Sequence, residues 1–151
     1  MRGRVKVYLD TSVYNRPFDD QSQTRIRLEA EAFLSIIEKA IYGGITIIGS
    51  SALLYENSRN PFVERKERVS SFLEMVAKVV KASETVRKRA TFLESLGIDS
   101  IDALHLACAE AGGAEYFVTC DDAIIKRAKR NQAVFKVAVR SPLAFALEEV
   151  F

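Results

Sequence analysis

The sequence contains very little histidine and cysteine. Of its 151 residues, one is histidine and two are cysteine, and tryptophan is absent. Structural zinc sites take three or four His or Cys ligands, so a conventional multi-histidine or cysteine-rich zinc site is excluded. Cys108 and Cys120 have no CxxC partner, and we expect both to be reduced thiols.

Long apolar runs are also missing. No segment approaches the ~18 consecutive apolar residues that cross a bilayer. The basic start of the chain, from Met1 to Asp10, has an apolar stretch that Lys6 interrupts, and this stretch is shorter than a secretory signal requires. We therefore expect a cytoplasmic protein that does not associate with membranes.

Glycine and proline are sparse, and the chain has no nucleotide-binding fingerprint. It contains 7 Gly and 3 Pro, with 48% hydrophobic and 28% charged residues, which excludes disordered and collagen-like chains. Neither a GxGxxG motif after a strand nor a Walker A loop occurs. The length suits one compact domain, and we predict a single domain over residues 1–151.

Strand and helix patterns alternate along the chain. The predicted strands cover residues 5–9, 45–48, 78–82, 116–119 and 134–139, with amphipathic helices between them, the longest from Arg25 to Tyr42. The three residues Asp10-Thr11-Ser12 are predicted to form a polar turn. Strands that alternate with helices predict a parallel sheet covered on both faces, which is an α/β fold.

Several acidic residues follow predicted strands or begin predicted helices. They are Asp10, Glu56, Asp99, Asp102, Asp121 and Asp122. In open parallel sheets, ligands bind at the carboxyl ends of the strands, beside the point where the strand order reverses. Converging carboxylates repel one another unless a divalent cation neutralises them, and their hard oxygen atoms suit Mg²⁺ or Mn²⁺. Such a cluster is typical of metal-assisted phosphoryl chemistry.

The single histidine lies close to one of these acids in the sequence. His105 follows Asp102 by three residues, on the same face of a predicted helix. Two interpretations remain open: a hydrogen-bonded core histidine, or a hydrogen-bond partner of the acids.

Taken together, these motifs resemble the PIN-domain nucleases, and among them the VapC-type toxins and their small single-domain relatives. The resemblance extends from residue 5 to about residue 140, and the segments that carry it are Tyr8-Leu9-Asp10-Thr11-Ser12, Ser51 to Glu56, Asp102-Ala103-Leu104-His105-Leu106-Ala107 and Val118-Thr119-Cys120-Asp121. It implies a PIN-like three-layer α/β/α fold with a central, mostly parallel sheet.

The resemblance also implies roles for individual residues. The catalytic and metal-binding acids would be Asp10, Glu56, Asp102 and Asp121, with Mg²⁺ or Mn²⁺ as cofactor. The supporting residues would be Ser12 beside the metal, Thr119 orienting the last aspartate, and Asp99 and Asp122 as alternative ligands. For Arg16 two interpretations remain, namely contact with a substrate phosphate or an ion pair with Asp19 or Asp20.

The activity implied is that of a metal-dependent endoribonuclease, which cleaves RNA phosphodiesters with metal-activated water. Members of this family usually form homodimers, and the toxin members are inhibited by an antitoxin protein. The alternatives are a catalytically idle PIN-like binding module and a nuclease acting on DNA. Setting aside the four candidate acids leaves 22 basic against 16 acidic residues. That surplus supports a polyanionic substrate but does not choose between RNA and DNA.

Overall fold

The computed structural model describes residues 4–151 and contains one parallel sheet. The strands of this part of the chain are β1 (Val5–Leu9), β2 (Ile45–Ser50), β3 (Lys78–Val80), β4 (Tyr116–Val118) and β5 (Ala138–Arg140). Their order in the sheet is β3-β2-β1-β4-β5, and every neighbouring pair is parallel. The first three residues of the predicted domain and of the basic start lie outside the described residues.

Helices connect the strands. They are α1 (Thr11–Asn15), α2 (Thr24–Ile41), α3 (Ser51–Ser58), α4 (Val63–Leu73), α5 (Glu84–Glu94), α6 (Ser100–Ala111), α7 (Asp122–Arg130) and α8 (Pro142–Glu149), with a 3₁₀ turn at Arg16–Phe18. Serine side chains begin three of them as N-caps. The hydroxyls of Ser50, Ser83 and Ser141 each accept a hydrogen bond from a backbone N–H in the first turn.

The helices form layers on both faces of the sheet. The connections from β1 to β2 and from β2 to β3 run in one direction along the sheet, whereas those to β4 and to β5 run in the other direction. Because such connections are right-handed, the helices of the two sets lie on opposite faces of the sheet. Helix α2 packs against α8, and α5 packs against α6. The predicted three-layer α/β/α fold with a parallel sheet is therefore confirmed.

The predicted polar turn after β1 is wrong, because helix α1 begins there at once. The Asp10 side chain accepts a hydrogen bond from the Thr11 N–H, and its carbonyl accepts from the N–H groups of Val13 and Tyr14. Asp10 thus caps a short helix instead of lying in a turn.

The last predicted strand begins too early. The structure has a strand only at Ala138–Arg140, although the prediction placed one over residues 134–139. Upstream, side chains bind the backbone that a strand would use: the Val134 carbonyl accepts from Arg89, and the Lys136 N–H donates to Glu110. Phe135 and Val137 are buried there outside any strand, and Val134 is partly buried, so burial without a sheet partner produced the strand-like pattern.

The order of strands reverses between β1 and β4, so their carboxyl ends lie side by side. Leu9 is in register with Val118, and the Asp10 N–H extends the pairing by donating to the Val118 carbonyl at 2.9 Å. Residues that follow these two strands therefore meet at the topological switch point, where parallel sheets bind ligands.

Within residues 4–151, no helix is both long enough and apolar enough to cross a membrane. Cys108 and Cys120 form no disulfide, as predicted, and both are buried.

Candidate metal-dependent active site

Asp10 lies at the centre of the switch point. Its side chain is 5% exposed, and both carboxylate oxygens accept hydrogen bonds. Oδ1 accepts from the Thr11 N–H at 2.7 Å, whereas Oδ2 accepts from the hydroxyls of Thr119 at 2.8 Å and Ser12 at 3.2 Å. Burial raises the pKa of Asp10, and the neighbouring Glu56 carboxylate raises it further, against the lowering influence of His105 and Thr119.

Thr119 connects the acid after β1 with the acid after β4. Its hydroxyl donates to Asp10 and accepts the backbone N–H of Asp121 at 3.1 Å. Asp121 is the N-cap of α7, and its Oδ1 accepts from the Ala123 N–H at 2.8 Å. One threonine thus fixes the relative position of the two aspartates at the sheet edge.

Asp102 brings a further carboxylate to these two from the first turn of α6. Burial is the largest cause that raises the pKa of Asp102 to about 6, followed by repulsion from Asp10 and Asp121, with a smaller contribution from Asp99. Asp99, Asp102 and Asp121 also line one cavity of about 140 Å³. The structure therefore brings Asp10, Asp102 and Asp121 into one electrostatic group, with Asp99 at its side.

Glu56 reaches the same region from α3. Its Oε1 accepts from the hydroxyl of Thr11 at 2.5 Å and lies 2.7 Å from Nε2 of His105. The bond with His105 is the largest cause that lowers the pKa of Glu56, against partial burial that raises it. Glu56 is thus held as a carboxylate beside Asp10.

Two sequence-predicted residues have partners at the flank of the site. Asp122 forms a bidentate ion pair with Arg25, with both N–O distances at 2.8 Å. Arg16 binds Glu29 at 2.7 Å and Asp19 at 3.2 Å. Of the two interpretations of Arg16, the structure shows the ion pair with Asp19, whereas contact with a substrate phosphate stays a prediction.

The residues at this edge of the sheet fit a divalent cation by their donor chemistry. Carboxylate oxygens are the ligands that Mg²⁺ and Mn²⁺ prefer. Burial, and after it repulsion from Asp10 and Asp121, raises the pKa of Asp102, and a bound cation would relieve that repulsion. Oδ1 of Asp10 accepts one hydrogen bond and so keeps a lone pair for a further ligand. Across residues 4–151, no three His, Cys, Asp or Glu side chains already enclose a metal position. The fit therefore rests on residue type and charge.

Sequence reasoning missed three residues of this region. Thr11 was included in the predicted turn, yet its hydroxyl binds Glu56. Tyr8 was assigned to a strand, and its hydroxyl lies 2.6 Å from Nδ1 of His105. Arg127 lines the cavity of Asp99, Asp102 and Asp121. Of these three residues, only Arg127 could have been suspected from the sequence, because it belongs to the basic cluster of α7.

The guanidinium of Arg127 lies over Gly97 at this cavity. A Cβ on Gly97 would come within 3.1 Å of Arg127 Cζ, and the φ of Gly97 is +92°, which also favours glycine. Among the described residues, Arg127 forms no ion pair with an acid and its side chain donates no hydrogen bond. A cationic group without a protein partner thus adjoins the acidic group.

Comparisons with known proteins agree with this architecture. A model of the PIN domain family matches residues 7–130. Among solved structures, the chain is similar to the crystal structure of VapBC2 from Rickettsia felis bound to a DNA fragment from their promoter. The TM-score is 0.60 at 18% sequence identity, over 91% of this chain and 98% of that chain. No curated protein matches the sequence. At this identity the structural similarity concerns the fold.

Proposed function

Because the chain belongs to the PIN domain family, we propose that it is a metal-dependent endoribonuclease that hydrolyses RNA phosphodiester bonds. The observation that carries the proposal is the group of Asp10, Asp102 and Asp121 at the switch point of the sheet, whose charges act on one another. A group of this kind is costly in a folded protein unless it serves a bound cation.

The proposed cofactor is Mg²⁺ or Mn²⁺, held by Asp10, Asp102, Asp121 and Glu56. When bound, it would supply an activated water and stabilise the negative charge that develops on the phosphate. The chain's own residues position these acids. Thr119 and Ser12 fix Asp10, and Thr11 fixes Glu56.

Charge supports a nucleic-acid substrate. Apart from the four proposed ligands, basic residues outnumber acidic ones by 22 to 16. Arg127 adjoins Asp102 and Asp121 in the same cavity, so a phosphate bound there would be next to the proposed metal ligands. The preference for RNA over DNA comes from the family resemblance.

The proposal extends to partners. The similar structure is that of VapBC2 bound to a DNA fragment from their promoter, and the fold similarity supports an antitoxin protein as the partner of this chain. We further propose a homodimer, as in similar toxins. Co-expression with the product of a small reading frame immediately upstream tests for the antitoxin. Light scattering of the purified protein tests for the homodimer.

The activity is tested with a panel of end-labelled substrates. Single-stranded RNA, structured RNA, single-stranded DNA and duplex DNA are incubated with the protein in Mn²⁺, Mg²⁺ or EDTA. We expect cleavage of RNA with either cation and none with EDTA. Cleavage of DNA but not of RNA would show that the substrate is DNA. Binding of a nucleic acid without cleavage of any substrate would favour the idle binding module.

A further inference from the structure

A chain of polar side chains runs through the core and ends at Glu56. The hydroxyl of Tyr8 lies 2.6 Å from Ser50 Oγ and 2.6 Å from Nδ1 of His105, and Nε2 of His105 lies 2.7 Å from Oε1 of Glu56. Tyr8, Ser50 and His105 are each no more than 1% exposed. The buried members of this hydrogen-bonded series therefore have no water to complete their hydrogen bonds.

The charge of Glu56 decides which atom donates and which accepts in each of these hydrogen bonds. An ionised carboxylate only accepts, so the hydrogen between Glu56 and the imidazole belongs to Nε2. In the neutral ring, Nδ1 then accepts from the Tyr8 hydroxyl. Tyr8 in turn accepts from the Ser50 hydroxyl, whose oxygen also accepts the Leu53 N–H at 3.1 Å. Each donor in this sequence has an acceptor.

We propose that His105 is a positioning residue, which uses its Nε2–H to hold Oε1 of Glu56 so that Oε2 remains the metal-binding oxygen. The inference rests on the proposed function for the metal and on the observed contacts for the geometry. Thr11 donates to the same Oε1, and Oε2 accepts no hydrogen bond from residues 4–151. Two donors on one oxygen fix the carboxylate plane and leave the other oxygen for a ligand role.

The position of the ring is itself fixed by β1. Tyr8 stacks on Phe117 of the neighbouring strand, with ring centroids 5.5 Å apart and planes inclined by 10°. Its hydroxyl fixes the imidazole through Nδ1, because rotating the ring would leave buried polar atoms unpaired. The central sheet thus sets the orientation of a side chain on α3 through a histidine on α6.

The protonation of His105 can be read directly, because it is the one histidine of the chain. The experiment uses tag-free protein labelled with ¹⁵N in the imidazole and a long-range ¹H–¹⁵N correlation spectrum in EDTA. We expect a hydrogen on Nε2, and a shift of that resonance in Glu56→Gln. A ring with its hydrogen on Nδ1 alone would overturn the proposal. This readout involves neither metal nor nuclease activity, so it separates failure of the inference from failure of the proposed function.

Two substitutions at one position separate positioning from packing. Gln can replace the Nε2 donor to Glu56, whereas Asn replaces only the Nδ1 side. Mn²⁺ affinity is measured from the free-ion EPR signal. We expect His105→Asn to weaken Mn²⁺ binding about tenfold or more, the range typical of groups that orient a ligand, with His105→Gln much closer to the wild type. Equal affinity in all three proteins, or equal losses in both variants, would contradict the proposal.

Tyr8→Phe gives an independent variant if His105→Asn does not fold. It retains the stacking on Phe117 but removes the hydroxyl that fixes the ring. We expect weaker Mn²⁺ binding together with a changed His105 resonance, and an unchanged affinity would overturn the proposal. Wild-type protein that binds no Mn²⁺ would overturn both the metal site and this role of His105, whereas Mn²⁺ binding that Glu56→Gln leaves intact would overturn only the latter.

Discussion

The hydroxyl of Thr119 donates a 2.8 Å hydrogen bond to Oδ2 of Asp10 while it accepts the N–H of Asp121 at 3.1 Å. Thr119 is 0% exposed, so neither bond can be replaced by one to water. A single buried side chain therefore links two acids that are far apart in the sequence but adjacent at the ends of β1 and β4.

Thr119→Val tests this link, because valine keeps the shape and removes the hydroxyl. We predict a loss of about 1–3 kcal/mol in unfolding free energy, since Asp10 loses a donor and the Asp121 N–H loses its acceptor. Mn²⁺ affinity should fall with it, by roughly tenfold. Urea unfolding and Mn²⁺ titration measure the two effects. Thr119→Ser is the matched control and should retain most of both, so a loss equal to that of valine would contradict the role of the hydroxyl.

Divalent cations should stabilise the folded protein. A ligand that binds only the native state at about 100 times its Kd adds about 2.7 kcal/mol, which for a chain of this size raises Tm by roughly 5–10 °C. Thermal melting in Mn²⁺ against EDTA measures the shift. It should vanish in Asp10→Asn and persist in Asp122→Asn, whose side chain pairs with Arg25. The same midpoint in both buffers for wild-type protein would argue against a metal site.

The pH dependence of stability should reveal the raised pKa of Asp102. Its pKa is raised to about 6 in the folded protein, from 3.8. The folded state therefore binds more protons than the unfolded state between these two values, so Asp102 makes the metal-free protein less stable as pH rises. Asp102→Asn cannot ionise. We expect its Tm in EDTA to rise relative to wild type between pH 4 and about 7 and then to stay constant. Parallel curves would show that folding does not raise the pKa of Asp102.

Arg127 should contribute to substrate binding more than to the chemical step. Loss of one phosphate contact reduces the slope of log K against log salt concentration by about 0.7–1. We predict that Arg127→Gln raises KM for RNA several-fold, lowers this slope and leaves kcat closer to wild type. Lys129→Gln, an exposed change on the same helix, is the matched control. The same KM and salt slope in Arg127→Gln and in the wild type would refute the contact.

The sequence predicted those parts of the site that depend on strand ends. Asp10 and Asp121 follow β1 and β4, and the alternation of strands and helices was enough to bring them to one edge. The sequence could not show which donors hold each acid, because Thr119 and Asp10 are separated by 109 positions. Contacts of this kind depend on register across the sheet, which local patterns do not encode.

Local patterns also failed where tertiary contacts replaced sheet pairing. The apolar residues before β5 read as strand, yet Arg89 and Glu110 bind their backbone. The sequence left two interpretations of His105, a core residue or a hydrogen-bond partner of the acids. The structure shows that both interpretations hold, since the imidazole is 1% exposed and also binds Glu56.

The most direct test of the account compares Asp10→Asn with Asp122→Asn in cleavage of a structured RNA with Mn²⁺. Asp10 is buried at the switch point, whereas Asp122 is an exposed neighbour of Asp121 that pairs with Arg25. Both changes remove one negative charge and keep the side-chain shape. We predict that Asp10→Asn folds but loses cleavage by about a hundredfold or more, as expected for a ligand of a catalytic metal, while Asp122→Asn stays within a few-fold of wild type. Full activity in Asp10→Asn would contradict the proposed metal-dependent nuclease site.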